Sequence, residues 1–124
     1  MSDLLLSYGI ASYVSADILF VPFQADFYTE VMEALQQDLS QQIHNNSRIK
    51  GLILDVSKVQ LMDLHNMHTL EQLIELGNIL GVPGFLVGVQ PNVALTLIDL
   101  GYDPAHLNTV VNLERAVSLI RDVR

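Results

Sequence analysis

Residues 51–63 read GLILDVSKVQLMD. The first six, Gly51 to Val56, are apolar at nearly every position, on both alternating sets. A strand with one wet face would alternate polar and apolar residues. A run apolar on both sets predicts a strand in the middle of a sheet whose two faces are covered by helices. Ser57 to Met62 then reads as a loop. Asp63 reads as the N-cap of a helix running to about Leu80, with Met67, Leu70, Ile74 and Gly77 on one side and Gly81 at its C′ position.

Downstream, the pattern repeats. Val82 to Val89 (VPGFLVGV) predicts a second buried strand, with Pro83 at its start, where a missing donor is tolerated. Gln90-Pro91 opens a helix, proline taking the first position, and Gly101 stops it after Leu100. Asn108 to Val111 predicts a brief strand. Asn112 caps a last helix carrying Leu113, Ala116, Val117, Ile120 and Val123.

Upstream, Gly9 to Val14 and Asp17 to Phe23 predict two strands joined through Val14-Ser15-Ala16-Asp17 as a hairpin. Leu4 to Ser7 either extends the first strand or frays. Asp26 is the expected cap of a helix with Glu30 in its first turn. Phe27, Val31, Ala34, Leu35, Leu39 and Ile43 recur at helical spacing, opposite Gln36, Gln37, Gln41 and Gln42, and Asn45-Asn46-Ser47 ends that helix. The order β-β-α-β-α-β-α-β-α predicts an α/β fold. Its sheet is mixed but mainly parallel, with four to five strands, an N-terminal hairpin and four helices. No linker or repeat interrupts residues 1–124, so a single domain is expected.

Composition narrows the function. Six Lys and Arg against 14 Asp and Glu give a net charge of −8. That balance offers no footprint for a phosphate backbone or an anionic membrane, so neither nucleic acid nor membrane is an expected partner. The chain has no cysteine, which removes disulfides, thiolate catalysis and zinc–thiolate sites. No apolar run approaches the ~20 residues of a membrane span. Met1 to Ser7 contains Asp3 and no basic n-region, unlike a signal peptide. A cytoplasmic protein is expected.

Motifs for chemistry are sparse. Neither GxGxxG nor a lysine-bearing phosphate loop occurs, and Gly84 and Gly88 read as lying inside a strand. No G-x-S-x-G elbow occurs. His65, His68, Gln72 and Glu75 share one helix face and could present imidazoles and a carboxylate to a metal. The better reading is the polar side of an amphipathic helix. His44 and His106 are solitary. Asp55 and Asp63 could form an acid–base pair. The better reading is a strand-end aspartate satisfied by loop amides, plus an N-cap. No cofactor is expected.

Three segments carry a resemblance. GLILDVSKVQLMD (51–63), GVPGFLVGVQPNVALTLIDLG (81–101) and the closing strand with the LERAVSLIRDV helix resemble the STAS family, the small domains typified by bacterial anti-sigma-factor antagonists. The second segment is the most specific and looks like the RsbS and RsbR proteins of the stressosome, the RsbS type above all. The resemblance implies a STAS fold and a protein without catalysis of its own. It implies co-assembly with RsbR-like STAS proteins, homo-oligomerisation, and docking of an RsbT-like serine/threonine switch kinase. In that family a phosphorylated serine follows the aspartate at the start of the second helix. Here the aspartate is Asp63 and the next residue is Leu64, which has no hydroxyl. The resemblance therefore implies a locked, non-phosphorylatable domain, with Asp63, Leu64, His65, Asn66 and His68 as kinase-docking residues. Ser57 and Thr69 are the nearby hydroxyls that could have taken over as phosphosites. Two other functions are kept open: a sensor binding a nucleotide or lipid at the loop before the second helix, where the helix N-terminus near Asp63 offers free amides, and a small hydrolase using Asp55 and Asp63.

Overall fold

A computed structural model describes residues 10–24, 29–103 and 108–122. The hairpin is β1 (Tyr13–Ser15) and β2 (Ile18–Pro22), paired antiparallel with Ser15 opposite Ile18. Its turn is only Ala16-Asp17, both at positive φ (50° and 70°). That is the two-residue geometry whose twist matches a hairpin, and it carries β1 one residue further than the sequence predicts. Helix α1 (Thr29–Asn45) follows, then β3 (Gly51–Asp55), α2 (Leu64–Ile79), β4 (Gly84–Val87), α3 (Pro91–Asp99), β5 (Thr109–Val110) and α4 (Leu113–Asp122). The expectations for Leu4–Ser7, Asp26, Phe27 and His106 lie outside the described residues.

The five strands lie in chain order, β1-β2-β3-β4-β5, and β2 to β5 are parallel. Parallel neighbours that always advance in one direction, each through a right-handed crossover, put all three crossover helices on one face. Only α4, which crosses to no further strand, is free to cover the other. The core divides accordingly. Val31, Leu35 and Leu39 of α1, Leu70 and Leu73 of α2, and Val93 and Leu97 of α3 pack with Leu19, Leu52, Leu54 and Leu86 in one cluster. Ala116 and Ile120 of α4 pack with Ile18, Ile53, Phe85 and Val87 in a second. Residues of β3 alternate between the clusters, so both of its faces are dry, as the apolar run predicts.

Two expectations need correction. Leu113 is 42% exposed rather than part of the core, because the α4 stripe facing the sheet is set by Ala116 and Ile120, three and seven residues on. Gly88 is not inside β4. The strand ends at Val87, and Gly88 turns the chain with φ +83°, a conformation that glycine adopts without strain.

Candidate functional site

The loops after β3 and β4 meet at the C-terminal edge of the sheet and hold one another. Asp55 Oδ1 accepts the Ser57 N–H at 2.9 Å, an Asx turn that bends the chain off the sheet. The Val56 N–H donates to the Val87 carbonyl at 2.9 Å. From the second loop, Gln90 Nε2 donates to the Ser57 carbonyl at 2.7 Å. Lys58 Nζ donates to Gln24 Oε1 at 3.2 Å, tying the same loop to the end of β2. Asp55 therefore serves the backbone, which is what its place at a strand end calls for.

The loop delivers Asp63 to the start of α2 in extended geometry (φ −108°, ψ 179°). Asp63 Oδ1 accepts the Asn66 N–H at 2.8 Å, and Asn66 Oδ1 accepts the Asp63 N–H at 3.1 Å. This is a reciprocal capping box, with asparagine in the role usually taken by Glu or Gln. Asp63 and Asp55 are both committed to local amides. The carboxylate of Asp63 also sits where an anionic ligand would use the helix N-terminus, which works against both the hydrolase and the anion-sensor readings.

Leu64 is the first helical residue. It is half-buried and packs against the larger core cluster. His65 and His68 are exposed, and Asn66 is half-buried within the cap. Leu61, two residues before the cap, is 71% exposed and turns an apolar side chain to solvent. The sequence reading passes over it because a lone leucine in a loop carries no periodic signal. Ser57 is exposed. Thr69 is half-buried, and its Oγ1 donates back to the His65 carbonyl at 2.9 Å. His65, His68, Gln72 and Glu75 all lie exposed along α2. No group of three or more metal-ligating side chains is assembled among the described residues.

A further pair emerges only from the fold. The Tyr102 hydroxyl donates to Glu71 Oε1, fastening the segment after α3 to the middle of α2, with the His68 ring 6.4 Å from the Tyr102 ring. Tyr102 is buried. Burial pushes its phenol well above the usual range, and the hydrogen bond and charge of Glu71, then the charge of Asp103, push it the same way. The site thus presents a rigid, capped helix start and a braced loop. The carboxylates near it, Asp55 and Asp63, are held by backbone amides.

Comparison with known proteins agrees with this architecture. The STAS domain family model matches residues 10–116. The RsbT co-antagonist protein RsbRB of Bacillus subtilis (strain 168) is 29% identical over 105 residues, covering 85% of this chain but 38% of that protein. The chain thus spans well under half the length of this curated relative. Among solved structures, a serine-to-glutamate variant of Moorella thermoacetica RsbS superposes with a TM-score of 0.75 at 24% identity, covering 92% of this chain and 96% of that one. A chain from a structure of the stressosome, described as a signal integration and transduction hub, superposes with a TM-score of 0.65 at 25% identity, covering 91% and 97%. With the family model spanning the hairpin, the parallel strands and the first turn of α4, the chain belongs to the STAS domain family.

Proposed function

We propose that this chain is a non-catalytic regulatory protein of a partner-switching, stressosome-like pathway in the cytoplasm. It assembles with homologous RsbR-like STAS proteins and with further copies of itself, and it docks a serine/threonine kinase of the RsbT type. The observation that carries the reading is the start of α2. There the capping box fixes Asp63, and the next position, where the family's phosphorylatable serine is expected, is Leu64. Phosphoryl transfer requires a hydroxyl in line with the γ-phosphate, and position 64 has none. A phosphoserine there would bring about −1.5 to −2 charges to a helix start that already holds a carboxylate and packs its first side chain against the core. Leu64 keeps position 64 permanently in the unphosphorylated, apolar condition.

The likeness to RsbRB, an RsbT co-antagonist protein, supports kinase antagonism as the role, and the stressosome likeness supports assembly. The docking residues in this reading are Asp63, Leu64, His65, Asn66 and His68. Co-sedimentation of the purified chain with an RsbR-type STAS protein tests the assembly. A joint species larger than either protein alone is expected. Two proteins sedimenting independently at micromolar concentration would remove the scaffold role.

A further inference from the structure

Leu95 and Ile98 on α3 are exposed, but a helix has no free backbone edge to offer a partner. Strand β5 has one. Among the described residues the sheet ends at β5, which pairs with β4 alone. The Leu86 N–H donates to the Asn108 carbonyl at 2.8 Å, and Leu86 is in register with Thr109. In that parallel register Asn108 and Val110 turn backbone groups toward β4, so Thr109 turns its N–H and carbonyl to the open edge. Exposed edges are commonly guarded by lysine, proline or an inward-pointing charge. Thr109, Val110 and Val111 supply none of these, and Val111 is 87% exposed. The strand is short, so what adds to it must be held by side chains as well as by the ladder.

Beside this edge runs a groove of about 580 Å³ lined by Val89, Thr109, Val110, Val111, Arg115 and Leu119. Arg115 and Leu119 stand at i and i+4 on α4, so the groove has the sheet edge on one side and a helix on the other. Val110 and Leu119 are half-buried against the smaller core cluster. Among the described residues, the one charged side chain lining the groove is that of Arg115. Its helical neighbours three and four positions away are Val111, Asn112, Ser118 and Leu119, none of them a carboxylate. Glu114, one position away, does not face it. The groove therefore calls for an extended backbone carrying aliphatic side chains and one carboxylate. The chain's other edge strand, β1, reads Tyr-Val-Ser and brings no acid, nor does β5, so neither edge of a second copy is the match.

From these observations we infer that the groove between β5 and α4 receives an extended segment of a different protein. That segment pairs with Thr109 as an added strand, lays aliphatic side chains against Val110 and Leu119, and sets an Asp or Glu against Arg115. No residue lining the groove belongs to α2, so the inference does not rest on the kinase-docking reading.

The test uses the full chain and labelled peptides of about eight residues, roughly one strand in length, with both termini blocked. The first alternates Val and Thr around one central Glu. The second has Lys in place of Glu. The third keeps every side chain of the first but N-methylates alternate amides, removing donors that a strand needs. Binding is read by fluorescence anisotropy. The first peptide should bind one to one, and the third about tenfold more weakly, as the loss of main-chain bonds implies. Arg115→Gln should weaken the first peptide several-fold and erase its preference over the Lys peptide. Thr109→Pro should also weaken it several-fold, because the lost N–H faces the open edge and not β4. Val14→Gln, on the opposite edge of the sheet, should change nothing. Unchanged thermal unfolding shows that each variant is folded, and if Thr109→Pro unfolds, the N-methylated peptide carries the same test. No binding of the first peptide, equal binding of the N-methylated one, or indifference to Arg115→Gln would each overturn the proposal. So would displacement of the peptide by an equal concentration of octanoate, which would make a small aliphatic carboxylate the ligand. A native dimer that Thr109→Pro dissolves would overturn it too, making a second copy the occupant.

Discussion

Gly88 lies directly against Ser57. A Cβ built on Gly88 would come 2.7 Å from Ser57 Cβ and 3.1 Å from its Cα, and Gly88 has φ +83°. The two loops can therefore lace together through Gln90 only because residue 88 has no side chain. Gly88→Ala should destabilise by about 2 kcal/mol or more, combining backbone strain with displacement of the Ser57 loop. Gly81→Ala has nearly the same φ but no heavy atom near its new Cβ, and should lose only about 1 kcal/mol. Urea unfolding of both variants checks the difference.

The capping box predicts a coupled pair. Asp63→Ala should lose about 1 kcal/mol, and up to ~2. Asn66→Ala should lose less, because it removes only the return bond to the Asp63 N–H. The double variant should fall short of the sum, since each single change already breaks the reciprocal arrangement. Denaturant unfolding of the four proteins gives the cycle.

Gly51 sets how closely α4 approaches the sheet. A Cβ at position 51 would sit 2.5 Å from Ile120 Cδ1 and 2.7 Å from Cγ2. Gly51→Ala should therefore destabilise by about 1–3 kcal/mol through overpacking. Ile120→Val in the same chain should recover part of that loss by withdrawing the Cδ1 methyl. Should the double variant be less stable than the additive sum, the contact is not the cause.

Tyr102 gives a pH signature. Its folded-state phenol is held above the ordinary value near 10 by burial and by Glu71. Below pH 10 both the folded and unfolded states keep the proton, and this contribution to stability is complete. Above it the unfolded chain loses the proton first, so stability falls as pH rises past 10. Tyr102→Phe should be about 1 kcal/mol less stable at neutral pH, and it should show a shallower loss between pH 10 and 11.5. Parallel curves for the two proteins would contradict the assignment.

Local signals were legible where a single element sufficed. The apolar run at 51–56, the caps at Asp63 and Asn112 and the glycine stops at Gly81 and Gly101 each declare themselves within a few residues, and the alternation of elements then settles the sheet. What was not legible depends on non-local packing. Gly88 reads as strand until the Ser57 loop is laid against it. Leu113 reads as core until Ala116 and Ile120 fix the phase of α4. Tyr102 and Glu71 are 31 residues apart and meet only through the fold. At the candidate site, Asp63 and Leu64 stand out because a familiar motif is interrupted there. Leu61, Leu95 and Ile98 could not be known as exposed before the helices were placed.

The central claim of the proposed function is that Leu64 would make this STAS domain refractory to an RsbT-type kinase. Intact-mass spectrometry after incubation with an RsbT-type kinase and ATP tests it most directly, on the native chain and on Leu64→Ser side by side. The account predicts no phosphoryl adduct on the native chain, a single adduct at position 64 in Leu64→Ser, and release of bound kinase only from the variant. Comparable phosphate uptake by the native chain, at Ser57 or Thr69, would contradict it and would place the switch elsewhere along the same helix and loop.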